Sequence, residues 1–148
     1  MYQNILVAID DSETSRCALA EAKHIARTSR AKLYIVHVVD EVLLSMHGHA
    51  MLDMGSADAA VANLRRAGQA LLDDAVKDAG GLEVEAVLLE AQKRRVSETI
   101  ADKAKELAVD LIVIGRHGQR GLATLLLGSV AEQLAKISNA SVLLVRKH

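Results

Sequence analysis

Five short apolar runs alternate with four stretches of helical periodicity, and this alternation constrains the chain more than any other feature. The runs are Asn4 to Ile9, Lys32 to Val39, Leu82 to Leu89, Asp110 to Ile114 and Ser141 to Val145. Most are apolar without a break and rich in Val and Ile, as strands buried on both faces are. Between them Ala18, Ala22, Ile25 and Ala26 recur at helical spacing. So do Val61, Leu64, Gly68, Leu71, Ala75 and Ala79, with Ala57 ahead of them. Ile100, Ala104, Leu107 and Ala108 form a third set, and Val130, Leu134 and Ile137 a fourth over Ser129 to Ser138. The expected order is β-α-β-α-β-α-β-α-β. Strict alternation of this kind implies a parallel sheet with helices on both faces, and such α/β sheets bind ligands beyond the carboxyl ends of their strands.

Local signals set the element ends. Asp11 and Ser12 are N-cap candidates for the first helix and Ser97 for the third, while Gly80-Gly81 ends the second. Leu82 to Leu89 sets Leu82, Val84, Ala86 and Leu88 against Glu83 and Glu85, a strand with one wetter face that is expected at a sheet edge. From Asp40 to Gly55 the periodicity is lost and a loop is expected.

The chain has 148 residues, enough for one domain over 1–148 with a core that needs no disulfide or metal staple. Cys17 is its one cysteine, which rules out an intramolecular disulfide and fits a reducing compartment. A net charge of -1 gives no electrostatic reason to bind nucleic acid. The lack of Phe and Trp removes the best stacking platforms for single strands. No apolar run approaches a membrane span, and the first residues lead directly into a strand rather than a signal peptide. A cytoplasmic protein with no membrane partner is expected.

The glycines locate the chemistry. The dinucleotide fingerprint requires three glycines after the first strand, where this chain has Asp10-Asp11-Ser12-Glu13, and no Walker Gly-Lys-Ser/Thr exists. Glycines cluster instead after the fourth strand, as Gly115-Arg116-His117-Gly118-Gln119-Arg120-Gly121, leading to Gly128-Ser129 and a helix. Such a loop lets successive N–H groups form an anion nest, and the helix start adds free donors and a positive dipole end. Ser129 adds a hydroxyl, and Arg116 or Arg120 adds countercharge. The same glycines are also compatible with a tight turn and a helix cap alone.

The spacing Gly115-x2-Gly118-x9-Gly128-Ser129 resembles the nucleotide motif of the universal stress proteins. The string Leu125-Leu126-Leu127-Gly128-Ser129-Val130-Ala131-Glu132, the opening Ile5 to Asp10 with Ser12, the His37-Val38 pair and the closing Val142 to Val145 carry the resemblance along essentially the whole chain. It implies a single five-stranded parallel sheet of order 3-2-1-4-5, Rossmann-like and similar to the adenine nucleotide alpha hydrolases. It implies ATP or AMP as ligand, with Mg²⁺ accompanying ATP, and a regulatory role in the stress response. Carried over by position, Asp10 would bind the ribose, and Ala8 and the Val38 backbone the adenine. Gly115, Gly118, Gly128 and Ser129 would hold phosphates, with Arg116, His117 and Val130 lining the loop. It further implies a homodimer through the last strand and a regulatory partner of unknown identity. One departure is plain: many relatives have a Gly-x-Pro turn after the third strand, where this chain has Ala91-Gln92-Lys93-Arg94-Arg95-Val96.

The residues bear on three other chemistries. A slow Mg²⁺-dependent ATPase or phosphotransferase would use the same loop, yet no water-orienting base stands out, and no catalytic residue is assigned. A phosphorylatable receiver would explain Asp10-Asp11 but needs an Asp after the third strand and a Lys-Pro, and the chain has no proline. Met46 to Met54, with His47, His49 and Asp53, suits either a lid over the ligand or a soft-metal site; the lid is preferred and no metal ligand is assigned. Lys93-Arg94-Arg95 is read as a solvated run remote from the phosphates, and Cys17 as a core filler.

Overall fold

The computed structural model describes residues 1–42, 56–116 and 128–147. The elements are β1 (Asn4–Ala8), α1 (Glu13–Ser29), β2 (Lys32–Val39), α2 (Ser56–Asp78), β3 (Val84–Glu90), α3 (Val96–Glu106), β4 (Leu111–Gly115), α4 (Ser129–Ile137) and β5 (Ser141–Val145). All strands run parallel in the order β3-β2-β1-β4-β5, as the resemblance implied. The wetter strand β3 is at an edge.

Period two along the strands divides the core into two layers. Ile5, Val7, Leu33, Ile35, Leu111 and Val113 meet α1 and α2 through Ala18, Ala22, Ala26, Leu72, Ala75 and Ala79. Leu6, Tyr34, Val36, Ile112 and Ile114 meet α3 and α4 through Ile100, Ala104, Ala131 and Leu134. The buried face of α1 is made of small residues, Ser15, Ala18, Ala22 and Ala26, with Leu19 and Ile25 partly buried beside them, so that helix lies close over β1 and β4. Each fully buried Leu, Ile or Val contributes about 1.5–3 kcal/mol, which makes the central strands the stable frame.

Caps follow the sequence in part. Ser12 caps α1 by accepting from the Ser15 N–H at 3.2 Å. Ser97 does not cap α3: the helix begins at Val96, and Ser97 is buried inside its first turn, donating to Gln133 Oε1 on α4 at 3.0 Å. A buried hydroxyl requires a partner, and the neighbouring helix offers a better one than the helix's own N–H groups. Ile137 was expected inward and is 46% exposed; as the last residue of α4 it has no following turn to cover it. In the turn that replaces Gly-x-Pro, Gln92 and Lys93 take the left-handed conformation (φ 49° and 68°), which suits glycine better than either residue. Among the described residues no helix is long and apolar enough to cross a membrane.

Candidate functional site

The sheet order places the carboxyl ends of β1 and β4 side by side, with β2 on the other flank of β1. The chains leaving these ends diverge: β1 leads into α1 on one face and β4 leads toward α4 on the other. A crevice opens where they part, the position at which open α/β sheets hold ligands.

The turn after β1 is tightly built. The Ser12 N–H donates to Asp10 Oδ1 at 2.8 Å, and the Asp10 N–H donates to Ser15 Oγ at 2.8 Å. These bonds fix the half-buried Asp10 carboxylate at the mouth of the crevice. On the β4 side, the Arg116 N–H donates to the Val145 carbonyl, and the Arg116 carbonyl accepts from the Gly128 N–H at 2.8 Å. The two ends of the glycine-rich segment therefore meet, bringing Gly128 and Ser129 next to the end of β4. His117 and Gly118, like Met46 to Met54, lie outside the described residues.

Two glycines have different reasons to be glycine. A Cβ on Gly115 would lie 2.9 Å from Thr14 Oγ1 and 3.0 Å from the Thr14 carbonyl carbon, so its absence lets α1 start directly over β4. Gly128 has φ -59° and ψ 146°, open to any residue, so its backbone conformation alone does not require glycine. It stands at the N-cap of α4 with no side chain to offer. The Ser129, Val130 and Ala131 N–H groups have no capping bond among the described residues, and with the helix dipole they make an anion-seeking end.

The apolar wall of the crevice comes from the α3–α4 layer. Ala8, Val38, Leu89, Val96 and Val130 are half-buried at the carboxyl ends of their strands or in the first turns of their helices. The family resemblance implies Ala8, Val38 and Val130 among the ligand contacts. Leu89, which the strand register sets beside Val38, and Val96, at the start of α3, pack in the same layer.

Arg95 is exposed, as a solvated run implies, and it also reaches α4. Arg94 is a surface residue, bonded to Asp102 at 2.6 Å. Arg95, however, donates to Gln133 Oε1 on α4 at 3.2 Å and lines one groove with Ser129. The basic run is at the edge strand, yet the turn returns its last residue to the helix that starts the anion end. In the same groove Lys136 bonds Glu132 at 2.8 Å and holds that carboxyl below its usual range.

Comparison with known proteins agrees with this architecture. The model of the universal stress protein family matches residues 1–146. The chain is 34% identical over 149 residues to universal stress protein YxiE of Bacillus subtilis, covering 99% of this chain and 100% of that one. Its fold superposes on the solved structure of MJ0577 from Methanocaldococcus jannaschii with a TM-score of 0.84 at 27% identity, covering 100% and 98% of the two chains. A universal stress protein from Archaeoglobus fulgidus in complex with dAMP superposes with a TM-score of 0.65 at 26% identity, covering 97% and 98%. Given the matched length, the strand order and the paired ends of β1 and β4, this chain belongs to the universal stress protein family.

Proposed function

We propose that this protein is a regulatory module that binds ATP or AMP in the crevice at the carboxyl ends of β1 and β4. The observation that carries the reading is the two-sided chemistry of that crevice. One wall is apolar, from Ala8, Val38, Leu89, Val96 and Val130, and suits a flat base. The other is the start of α4 with Ser129, which has no side-chain cap among the described residues and suits a phosphate. Asp10 stands at the mouth with carboxylate oxygens that suit ribose hydroxyls. The relative solved with dAMP adds support for an adenine nucleotide as ligand class.

In this reading the Ser129 hydroxyl and the N–H groups of Ser129 and Val130 hold phosphate, Arg116 supplies charge near the end of β4, and Gly115, Gly128 and the loop residues His117 and Gly118 complete the cradle. With ATP, Mg²⁺ would neutralise the outer phosphates. We assign a sensor rather than an enzyme, with a slow ATPase or phosphotransferase on the same site as the alternative. We further propose a cytoplasmic homodimer through the half-exposed edge strand β5, whose open backbone edge needs a partner or a cover.

Release of nucleotide from denatured, freshly purified protein, read by mass spectrometry, and titration with ATP and AMP test the binding. Failure to release or bind either nucleotide overturns the reading. Accumulation of ADP over time at stoichiometric protein would move the assignment to the enzyme.

A further inference from the structure

Where β1 parts from β2, a side chain takes over a bond that the sheet would otherwise make. The ladder between the two strands ends with the Ile9 N–H donating to the Val36 carbonyl at 2.8 Å. In a continuing parallel ladder the Ile9 carbonyl would next accept from the Val38 N–H. Pairing stops at Ala8 with Val36, and the Ile9 carbonyl accepts instead from His37 Nδ1 at 2.8 Å. A carbonyl can only accept, so Nδ1 carries the proton.

Strand parity fixes the consequence. The Val36 carbonyl points to β1, and the Val39 carbonyl points to β3, where it accepts from the Ala91 N–H. The Val38 N–H and C=O therefore point to the β1 side, beyond its last paired residue and into the crevice. The His37 ring fits this place because of a second residue. Gly68 is buried in the middle of α2, and a Cβ there would lie 2.6 Å from His37 Cδ2 and 2.9 Å from Leu88 Cδ1. Glycine inside a helix costs about 1 kcal/mol relative to alanine. At Gly68 it makes room for the ring.

We infer that His37 is a positioning residue for base recognition: seated on Gly68, it satisfies the Ile9 carbonyl in place of the Val38 N–H and so presents the Val38 peptide to the edge of the base. This rests on the nucleotide reading above and deepens it. A peptide offering one donor and one acceptor matches adenine, whose N1 accepts and whose amino group donates. It mismatches the N1–H and carbonyl of guanine or hypoxanthine. His37 touches the strand and not the base, and acts through Val38.

The test compares wild type, His37→Leu, His37→Asn and Gly68→Ala by titration with AMP, GMP and IMP, with thermal melting alongside. His37→Leu leaves the Ile9 carbonyl without its donor, so Val38 is expected to close onto it. AMP affinity should fall about tenfold or more, and the preference for AMP over GMP and IMP should shrink. His37→Asn, whose side-chain amide can replace Nδ1–H, should restore both, and Gly68→Ala should mimic His37→Leu by displacing the ring. Nitrogen NMR of the unliganded wild type should show His37 protonated at Nδ1. If wild type binds AMP and His37→Leu binds it within twofold with the same base preference, the inference falls and the nucleotide reading stands. If wild type binds no nucleotide, both fall, whatever the tautomer.

Discussion

The two ends of the sheet are built on opposite plans. At the amino end, backbone and side-chain groups are closed upon each other. Asp110 accepts from the Gln3 N–H at 2.8 Å and the Asn4 N–H at 3.2 Å, and Asn4 Nδ2 donates to the Ala108 carbonyl. The Lys32, Leu33, Asp110 and Ser141 N–H groups each find a carbonyl on a neighbouring segment. At the carboxyl end the strands diverge, the β1–β2 ladder stops early, and α4 begins on a residue with no side chain. At one end neighbouring segments bond one another across the strands; at the other the segments part. Asp110 and Asp10 are half-buried carboxylates of the same chemistry: Asp110 accepts from two N–H groups at the amino end, and Asp10 accepts from the Ser12 N–H in the turn at the carboxyl end.

Gly115→Val should break the contrast most severely, because it strikes the fold at the open end. Its Cβ and branch would meet the Thr14 backbone, with a loss of about 2–3 kcal/mol in a denaturant titration. Asp110→Ala comes next. It strips the amino end of a charged acceptor for two N–H groups, so stability should fall by about 1–3 kcal/mol while nucleotide affinity holds within twofold. Asp10→Asn should do the reverse: the amide oxygen can keep the turn bond to Ser12, so melting should change little, while calorimetric affinity falls by about 1 kcal/mol. If Asp110→Ala and Asp10→Asn affect stability and affinity alike, the two ends do not differ in the way described.

Gly128→Val sharpens the comparison further. With φ in the range open to all residues, the fold should tolerate it, with a melting shift of only a few degrees. AMP and ATP binding should be lost, since the branch would stand over the start of α4. The smallest effect concerns acid. Lys23 bonds Asp78 and holds its carboxyl below the usual range. A depressed carboxylate contributes stability above its unfolded value, and that contribution disappears as pH falls through the folded one. Melting curves of Lys23→Met and wild type should therefore differ slightly at pH 7 and converge in acid; because the Asp78 carboxylate is exposed, the gap should be small.

Much of this could be read along the chain. Uninterrupted Val, Ile and Leu runs required buried parallel strands, since only a sheet covered on both faces hides such runs. Of the glycines from the end of β4 onward, Gly115 marks a close approach, that of the α1 start to the end of β4. Alternation alone did not set the strand order, which came with the family resemblance, because periodicity carries no information about which strands are neighbours. Ser97 shows the other limit: a good cap by residue type, it was claimed by Gln133 on another helix.

What the sequence determined by itself is local: element types, the layer each strand residue faces, and the segment in which the glycines cluster. Each follows from periods of 2 and 3.6 and from the conformations that glycine permits. What only the tertiary structure decided are encounters between distant residues. His37 reaches Ile9 and rests on Gly68, Arg95 comes to the groove of Ser129, and Leu89 and Val96 join Val38. These contacts exist because the strand order and the crossing helices bring their carriers together, and no spacing along the chain encodes that distance.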